Sequence, residues 1–456
     1  MIDLDKGSFR DPSGFVFYKD GQIYRQVNES YKDNYELLMS SGLYDELIKE
    51  GLLIPHTEVD SKSSCSNECY KLIKPEMVNF ISYPYEWCFS QIKDAALATV
   101  RIQKLALARG MSLKDSSAYN IQFVNGKPTM IDTLSFEKYE EGKPWVAYGQ
   151  FCRHFYAPLV LMAYKDIRLN QLLRCYIDGI PLDLASSMLP GSTKFNFSIM
   201  ANIHLHAKTQ ANYSDKAVDV KKYTMSKMQL SALIDSLESA VNKLKLDKVN
   251  TEWGDYYNAT NYSDDAFNHK KQLVESFLQT AGSRYIWDLG ANTGVFSRLA
   301  SDKGIETIAF DIDPIAVEKN YLHCKQNQEK SILPILMDLT NPSPSLGWSN
   351  EERMSFKGRK LPDTVLALAL IHHLAISNNL PFSKIAKFFS EICSSLIIEF
   401  VPKGDSQVNK LLATREDIFD QYHQEGFEKE FSKYYTIQQR EKIQGSDRTL
   451  YLLKRK

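Results

Sequence analysis

The chain has no excess of either charge: 55 Lys and Arg stand against 56 Asp and Glu, for a formal net charge of −1. That excludes the global basic field that drives nucleic-acid binding, and no nucleic-acid partner is expected. Long hydrophobic runs are also missing. The most apolar stretch, 364–376, contains His372 and His373 and falls short of the roughly 20 residues a spanning helix needs. The N-terminus, Met1-Ile-Asp-Leu-Asp-Lys6, lacks the apolar centre of a signal peptide. Cysteine is sparse and odd in number at seven, which excludes a disulfide framework and suits a reducing compartment. Only Cys65 and Cys69 lie close together, with no second pair to complete a zinc set, so that region reads as a Ser/Lys-rich surface loop. These absences lead us to expect a cytoplasmic protein with no membrane partner and no metal.

What is present begins with size. At 456 residues the chain is expected to hold about two or three domains with substantial cores. The stretch from Tyr285 to Gly294 organises the C-terminal part. Ile286 and Trp287 suit a buried strand, Asp288 closes it, Gly290 and Gly294 permit a tight turn, and Val295–Ala300 has helical spacing. A strand, a glycine turn and a helix start make a cradle whose backbone N–H groups can face a carboxylate or phosphate. Asn292 tolerates left-handed backbone, so the loop is plausible without a third glycine.

Downstream, strands and helices alternate, the pattern of a parallel doubly wound sheet. The second strand ends at Asp311, where such sheets place an acid on a ribose, and Asp313-Pro314 reads as N-cap and first helical residue. The third strand ends at Asp338, the fourth runs into Ile371-His372-His373, and the fifth carries Glu399. Glu399 must find a partner or touch substrate, because an unpaired carboxylate in an apolar strand is costly. Segments 435–443 and 449–453 close as an antiparallel hairpin.

Residues 251–456 resemble the class I S-adenosylmethionine-dependent methyltransferases. Asp288-x-Gly290-x3-Gly294 is similar to their first motif, and the terminal hairpin to their last two strands. The resemblance implies a Rossmann-like α/β fold with a seven-stranded sheet, and S-adenosylmethionine held by Asp288, Gly290, Asn292, Gly294, Asp311 and Asp338. The dinucleotide pattern Gly-x-Gly-x-x-Gly differs, since here an acid precedes Gly290 and three residues separate it from Gly294. The whole chain also resembles a bacterial group of longer methyltransferase-like proteins that includes nodulation-associated members. His372 and His373 are the candidate catalytic bases, histidine titrating near neutrality and lying here on the ligand-binding edge. The competing structural reading is that they cap the next helix or line the pocket. Asn-Pro-Pro-Tyr after the fourth strand, a mark of nitrogen methylation, is absent. A small-molecule or sugar acceptor is therefore expected, with the insertion 340–360 shaping its pocket.

The N-terminal part, 1–214, starts with two strand-like runs around Lys19-Asp-Gly21, a hairpin signal. A helix at 89–108 ends at Gly110 and leads to Asp115-x4-Asn120, a hairpin turn at Asn125-Gly126, and Asp132. This order resembles the core of the protein-kinase and aminoglycoside-phosphotransferase superfamily, which implies an α+β domain. By that resemblance Asp115 would orient a hydroxyl while Asn120 and Asp132 hold magnesium. Leu113 replaces the usual His, Thr133-Leu134 replaces Phe-Gly, and no glycine-rich loop or lysine can be assigned. The alternative is that Asp115 and Asn120 only cap and tie the loop. We expect an accessory recognition domain, with a phosphotransferase or a non-catalytic adaptor as the alternatives. His154 among aromatics reads as a core residue, and His204 and His206 as pointing to different faces. An amphipathic helix within 215–250 is expected to join the domains. The aromatic cluster around 253–263 is expected to form a lid over the cofactor, the alternative being that it only packs the domain edge.

Overall fold

The computed structural model describes residues 2–60, 68–208, 224–246, 263–413 and 415–456. Cys65 and most of the aromatic cluster at 253–263 lie outside the described residues. The chain divides into two units: Met1–Val249 with Ser345–Met354, and Asn250–Pro344 with Ser355–Lys456.

The first unit begins with β1 (Ile2–Leu4), β2 (Gly14–Lys19) and β3 (Gln22–Asn28). The turn between β2 and β3 holds Asp20 and Gly21 both at positive φ, 51° and 72°, the conformation that matches the twist of paired strands. Helices α1 (Lys32–Ser40) and α2 (Leu43–Glu50) precede β4 (His56–Val59) and β5 (Cys69–Pro75), and the five strands order β1-β2-β3-β5-β4. Helix α3 (Phe89–Ala108) buries 13 of its 20 residues, and Gly110 behind it takes φ 74°. Two short ribbons follow, β6 (Met111–Leu113) with β9 (Phe136–Lys138), and β7 (Ile121–Val124) with β8 (Lys127–Met130). Helical turns then take the unit through Tyr148–Tyr164 and on to residue 208.

The amphipathic helix expected to join the domains is Lys227–Lys243, and it packs within the first unit. Its Asp235 and Glu238 both pair with Lys104 of α3, at 2.6 and 2.7 Å. Of the insertion expected to shape the acceptor pocket, Ser345–Met354 likewise belongs to the first unit. Arg10 holds Glu352 at 2.6 Å, and the Tyr83 hydroxyl accepts the Met354 N–H at 2.6 Å.

The second unit is a seven-stranded sheet in the order β12-β11-β10-β13-β14-β16-β15. Its strands are β10 (Tyr285–Leu289), β11 (Glu306–Asp311), β12 (Ile332–Leu336), β13 (Thr364–Ala367), β14 (Ser395–Phe400), β15 (Tyr435–Lys442) and β16 (Thr449–Arg455). The first five pair in parallel, and β15 and β16 add the antiparallel hairpin. All five residues of β10 are buried, as a central strand covered on both faces requires. The helix Asp264–Ala281 covers one face and contributes Val274, Phe277 and Leu278 to a core with Ile286, Phe296, Leu366 and Ile397. Ser263 caps its start, and Gly282 at φ 63° ends it. Among the described residues no helix is long and apolar enough to cross a membrane, and no cluster of three metal-ligating side chains occurs.

Candidate active site

Parallel pairing brings the ends of β10, β11 and β12 side by side, and with them Asp288, Asp311 and Asp338. Gly290, Asn292 and Gly294 hold φ of 82°, 49° and 80°, so the loop after β10 turns back on itself. The N–H groups of Gly290 and Ala291 both donate to the Phe310 carbonyl at 2.9 Å, which ties the loop to β11. A Cβ on Gly294 would lie 2.6 Å from Arg298 and Asn320. At Gly290 a Cβ would only come into ordinary van der Waals contact with Leu370, at 3.4 Å from its Cδ1.

Asp288 is 1 % exposed, and Ser297 donates to its Oδ2 at 2.6 Å. Burial pushes its carboxyl up to about 7. Asp311 accepts the Asn292 N–H on Oδ2 at 2.7 Å and the Asp313 N–H on Oδ1 at 2.8 Å; burial raises it to about 6. Asp313 caps the helix Pro314–Asn327 through Ile315 and Ala316, as its place before proline suggested. Asp338 is half-buried and accepts both the N–H and the hydroxyl of Thr340 on one oxygen, at 2.8 and 2.7 Å. Ile312, 57 % exposed directly after Asp311, offers an apolar face at this edge. Its one signal in the sequence is its place between two acids at a strand end.

The other half of the edge follows β13. Ala369 takes φ 49°, a strained value for a residue with a Cβ, and its N–H donates to Glu399 Oε2 at 2.7 Å. The same oxygen accepts from Lys270 Nζ at 2.6 Å, and Oε1 meets Arg448 Nη1 at 3.5 Å. Arg448 in turn grips Asp405 with two bonds, at 2.7 and 3.1 Å. Glu399 therefore finds partners and anchors the bend that leads to the histidines. Lys270, Arg448 and Asp405 were missed. Lys270 was legible as a lysine in the buried stripe Ala266, Lys270, Val274, Phe277.

The histidines differ from the expectation of near-neutral bases. His372 is 1 % exposed, its Nδ1 has no hydrogen-bond partner, and burial drives it well below the usual range. His373 is half-buried and is lowered to about 4, again chiefly by burial. Their rings lie 4.1 Å apart. Both are neutral at physiological pH, and His373 is the one solvent can reach.

In the first unit, Asn120 and Asp132 both act on the Asp115 carboxyl, so the fold gathers the three, while Asn120 itself donates to the Ser135 hydroxyl at 3.3 Å. Each is also engaged locally. Asp115 accepts from Ser117 N and Gln150, at 2.9 and 2.8 Å, and burial raises its carboxyl. Asp132 accepts from Leu134 N and Ser135, and Arg25 of β3 pairs with it at 2.7 Å. Arg25 thus supplies a cation at the carboxylate for which the resemblance implied magnesium. His154 is buried and lowered to about 3. His204 bonds Ser186 and Thr193, while His206 stacks on Tyr148.

No family model matches the chain. The nodulation protein NoeA of Rhizobium meliloti (strain 1021) is 34% identical over 457 residues, covering 98% of this chain and 95% of that protein. Among solved structures, N-methyltransferase NodS from Bradyrhizobium japonicum WM9 is 12% identical over 42% of this chain and 98% of its own, with a TM-score of 0.32. Magnesium protoporphyrin IX methyltransferase from Synechocystis PCC 6803 with bound SAH is 16% identical over 45% of this chain and 93% of its own, also at 0.32.

Proposed function

The chain belongs to the family of the Rhizobium meliloti nodulation protein NoeA, and from that premise and the geometry of the second unit we propose that it is an S-adenosylmethionine-dependent methyltransferase. One observation carries this reading: Asp288, Asp311 and Asp338, at or just past the C-terminal ends of the adjacent strands β10, β11 and β12, lie beside a glycine loop. Two of them, Asp288 and Asp311, are buried carboxyls raised to about 7 and 6. A ligand bearing a cation and a diol fits this donor set, because it would hold both groups ionised where burial opposes it. Asp288 with Gly290 and Gly294 would take the amino-acid end, Asp311 the ribose, and Asp338 with Ile312 the base.

The bound cofactor supplies an activated methyl group. The chain's task is to place the acceptor in line with it, and near-attack positioning is worth about 7–11 kcal/mol. His373, neutral and reachable, would accept the acceptor's proton, with His372 packed behind it as a buried support. Glu399 fixes the Ala369 bend and so the histidine pair. The absence of Asn-Pro-Pro-Tyr favours a hydroxyl, carboxyl or carbon acceptor on a small molecule or sugar. The first unit would then serve recognition. The Arg25–Asp132 pair weighs against magnesium-dependent phosphotransfer there.

Release of S-adenosylhomocysteine, measured across a panel of small-molecule and saccharide acceptors, tests the activity. His373→Gln is expected to lower turnover at least about tenfold while leaving cofactor affinity intact. Unchanged turnover in that variant would remove His373 from the chemistry.

A further inference from the structure

The first unit contains a pocket of about 360 Å³ that the methyl-transfer reading does not use. Its walls come from Arg153, on the helical stretch after Tyr148, and from the loop holding Tyr176, Asp178, Pro181, Leu182 and Asp183. The loop is held in place by its backbone. Gly179 N donates to the Tyr176 carbonyl at 3.0 Å and Ile180 N to the Arg153 carbonyl at 3.0 Å. Gly179 sits at φ 90°, and a Cβ there would lie 2.6 Å from Arg153 Cβ, so only glycine lets the loop close on the helix. The pocket is thus preformed.

Arg153, Asp178 and Asp183 line one small space, and among the described residues no ion pair within 4.0 Å engages any of them. Among the described residues, Arg153 Nε and Nδ1 of the adjoining His154 are both buried without a hydrogen-bond partner. Asp178 acts at longer range on Arg10, which is itself committed to Glu352. Asp178 and Asp183 are exposed and Arg153 is half-buried, so solvent rather than an ion pair satisfies the carboxylates, and the fixed loop leaves the three charges spaced to bridge a ligand. That ligand must offer acceptors to the guanidinium and donors to two carboxylates. It must also present an apolar face to Tyr176, Pro181 and Leu182, of which Tyr176 is 39 % exposed. A polyhydroxylated ring with C–H faces meets all three requirements, and the volume is at the lower end for ligand pockets.

We propose that this pocket binds a saccharide, one or two sugar residues in size, with Arg153 donating to ring or hydroxyl oxygens and Asp178 and Asp183 accepting from hydroxyls. The proposal rests on the reading of the first unit as the recognition module. It does not depend on methyl transfer, because binding is measured on the whole protein without cofactor.

Saturation-transfer NMR with glucose, glucosamine, mannose and cellobiose is the direct test. Transfer is expected to at least one of these sugars, and to fall at least fivefold in Arg153→Gln and in the double variant Asp178→Asn, Asp183→Asn. Circular dichroism checks that the variants are folded, and Asp183→Asn alone serves if the double variant is not. No transfer to any of the four sugars would overturn the proposal, as would transfer undiminished in the folded variants. S-adenosylmethionine binding, measured separately, reports on the methyltransferase reading alone.

Discussion

Asp288 and Asp311 share one physical condition, a carboxyl buried where its charged form is poorly solvated. Relative to an ordinary value of 3.8, their raised positions near 7 and 6 mean that the folded state favours the protonated forms. Their contribution to stability is therefore full below about pH 4 and is lost as pH rises through 6 to 7. The cofactor changes the balance, since its positive charge favours the ionised acids. Affinity for S-adenosylmethionine is expected to rise between pH 5.5 and 8 while the cofactor-free melting temperature falls over the same interval. Calorimetry and thermal denaturation at matched pH would show it; a flat affinity profile would contradict it. Glu399 poses the complementary case, a buried anion held by Lys270 and Arg448. Glu399→Gln leaves two buried cations short of their counter-charge, at a cost of roughly 3–5 kcal/mol. Chemical denaturation is expected to register that loss, and Lys270→Met added to it to recover part.

At the scale of the element, the loop after β10 can be separated into fold and function by its glycines. Gly294→Ala would drive a Cβ to 2.6 Å from Arg298 and Asn320, so it is expected to destabilise the unit. Gly290→Ala meets nothing closer than 3.4 Å and is expected to cost only about 1–2 kcal/mol of backbone strain while abolishing cofactor binding. Melting temperature and affinity, measured on both, should diverge in this way. The loop was readable in the sequence because glycine, asparagine and an acid have local reasons to stand there. The bend at Ala369 was not, because alanine carries no local signal for φ 49°. It is imposed by Glu399, 30 positions away. Lys270 could have been inferred from its place in an apolar stripe, but its pairing with Glu399 is set only by tertiary packing. The depressed histidines were missed for the same reason, since adjacency to a strand end does not reveal burial.

For the whole molecule, the order of strands and helices was legible because alternation and turn residues are local. The division of the chain was less so: Lys227–Lys243 was expected to join the domains and packs on α3, and Ser345–Met354 leaves the second unit for the first. Both depend on partners distant in sequence. Arg25 belongs here too, since nothing around it signals that it meets Asp132. With that cation in place, titration of the protein with ATP and magnesium is expected to give no saturable metal-dependent binding; tight binding would revive the phosphotransferase reading. The central claim is tested most directly by calorimetric titration of the full chain with S-adenosylmethionine at pH 8. The account predicts saturable binding at one site, weakened at least about tenfold, or 1.4 kcal/mol, in Asp288→Ala and in Asp311→Ala. An absence of binding, or binding undiminished in both folded variants, would contradict it.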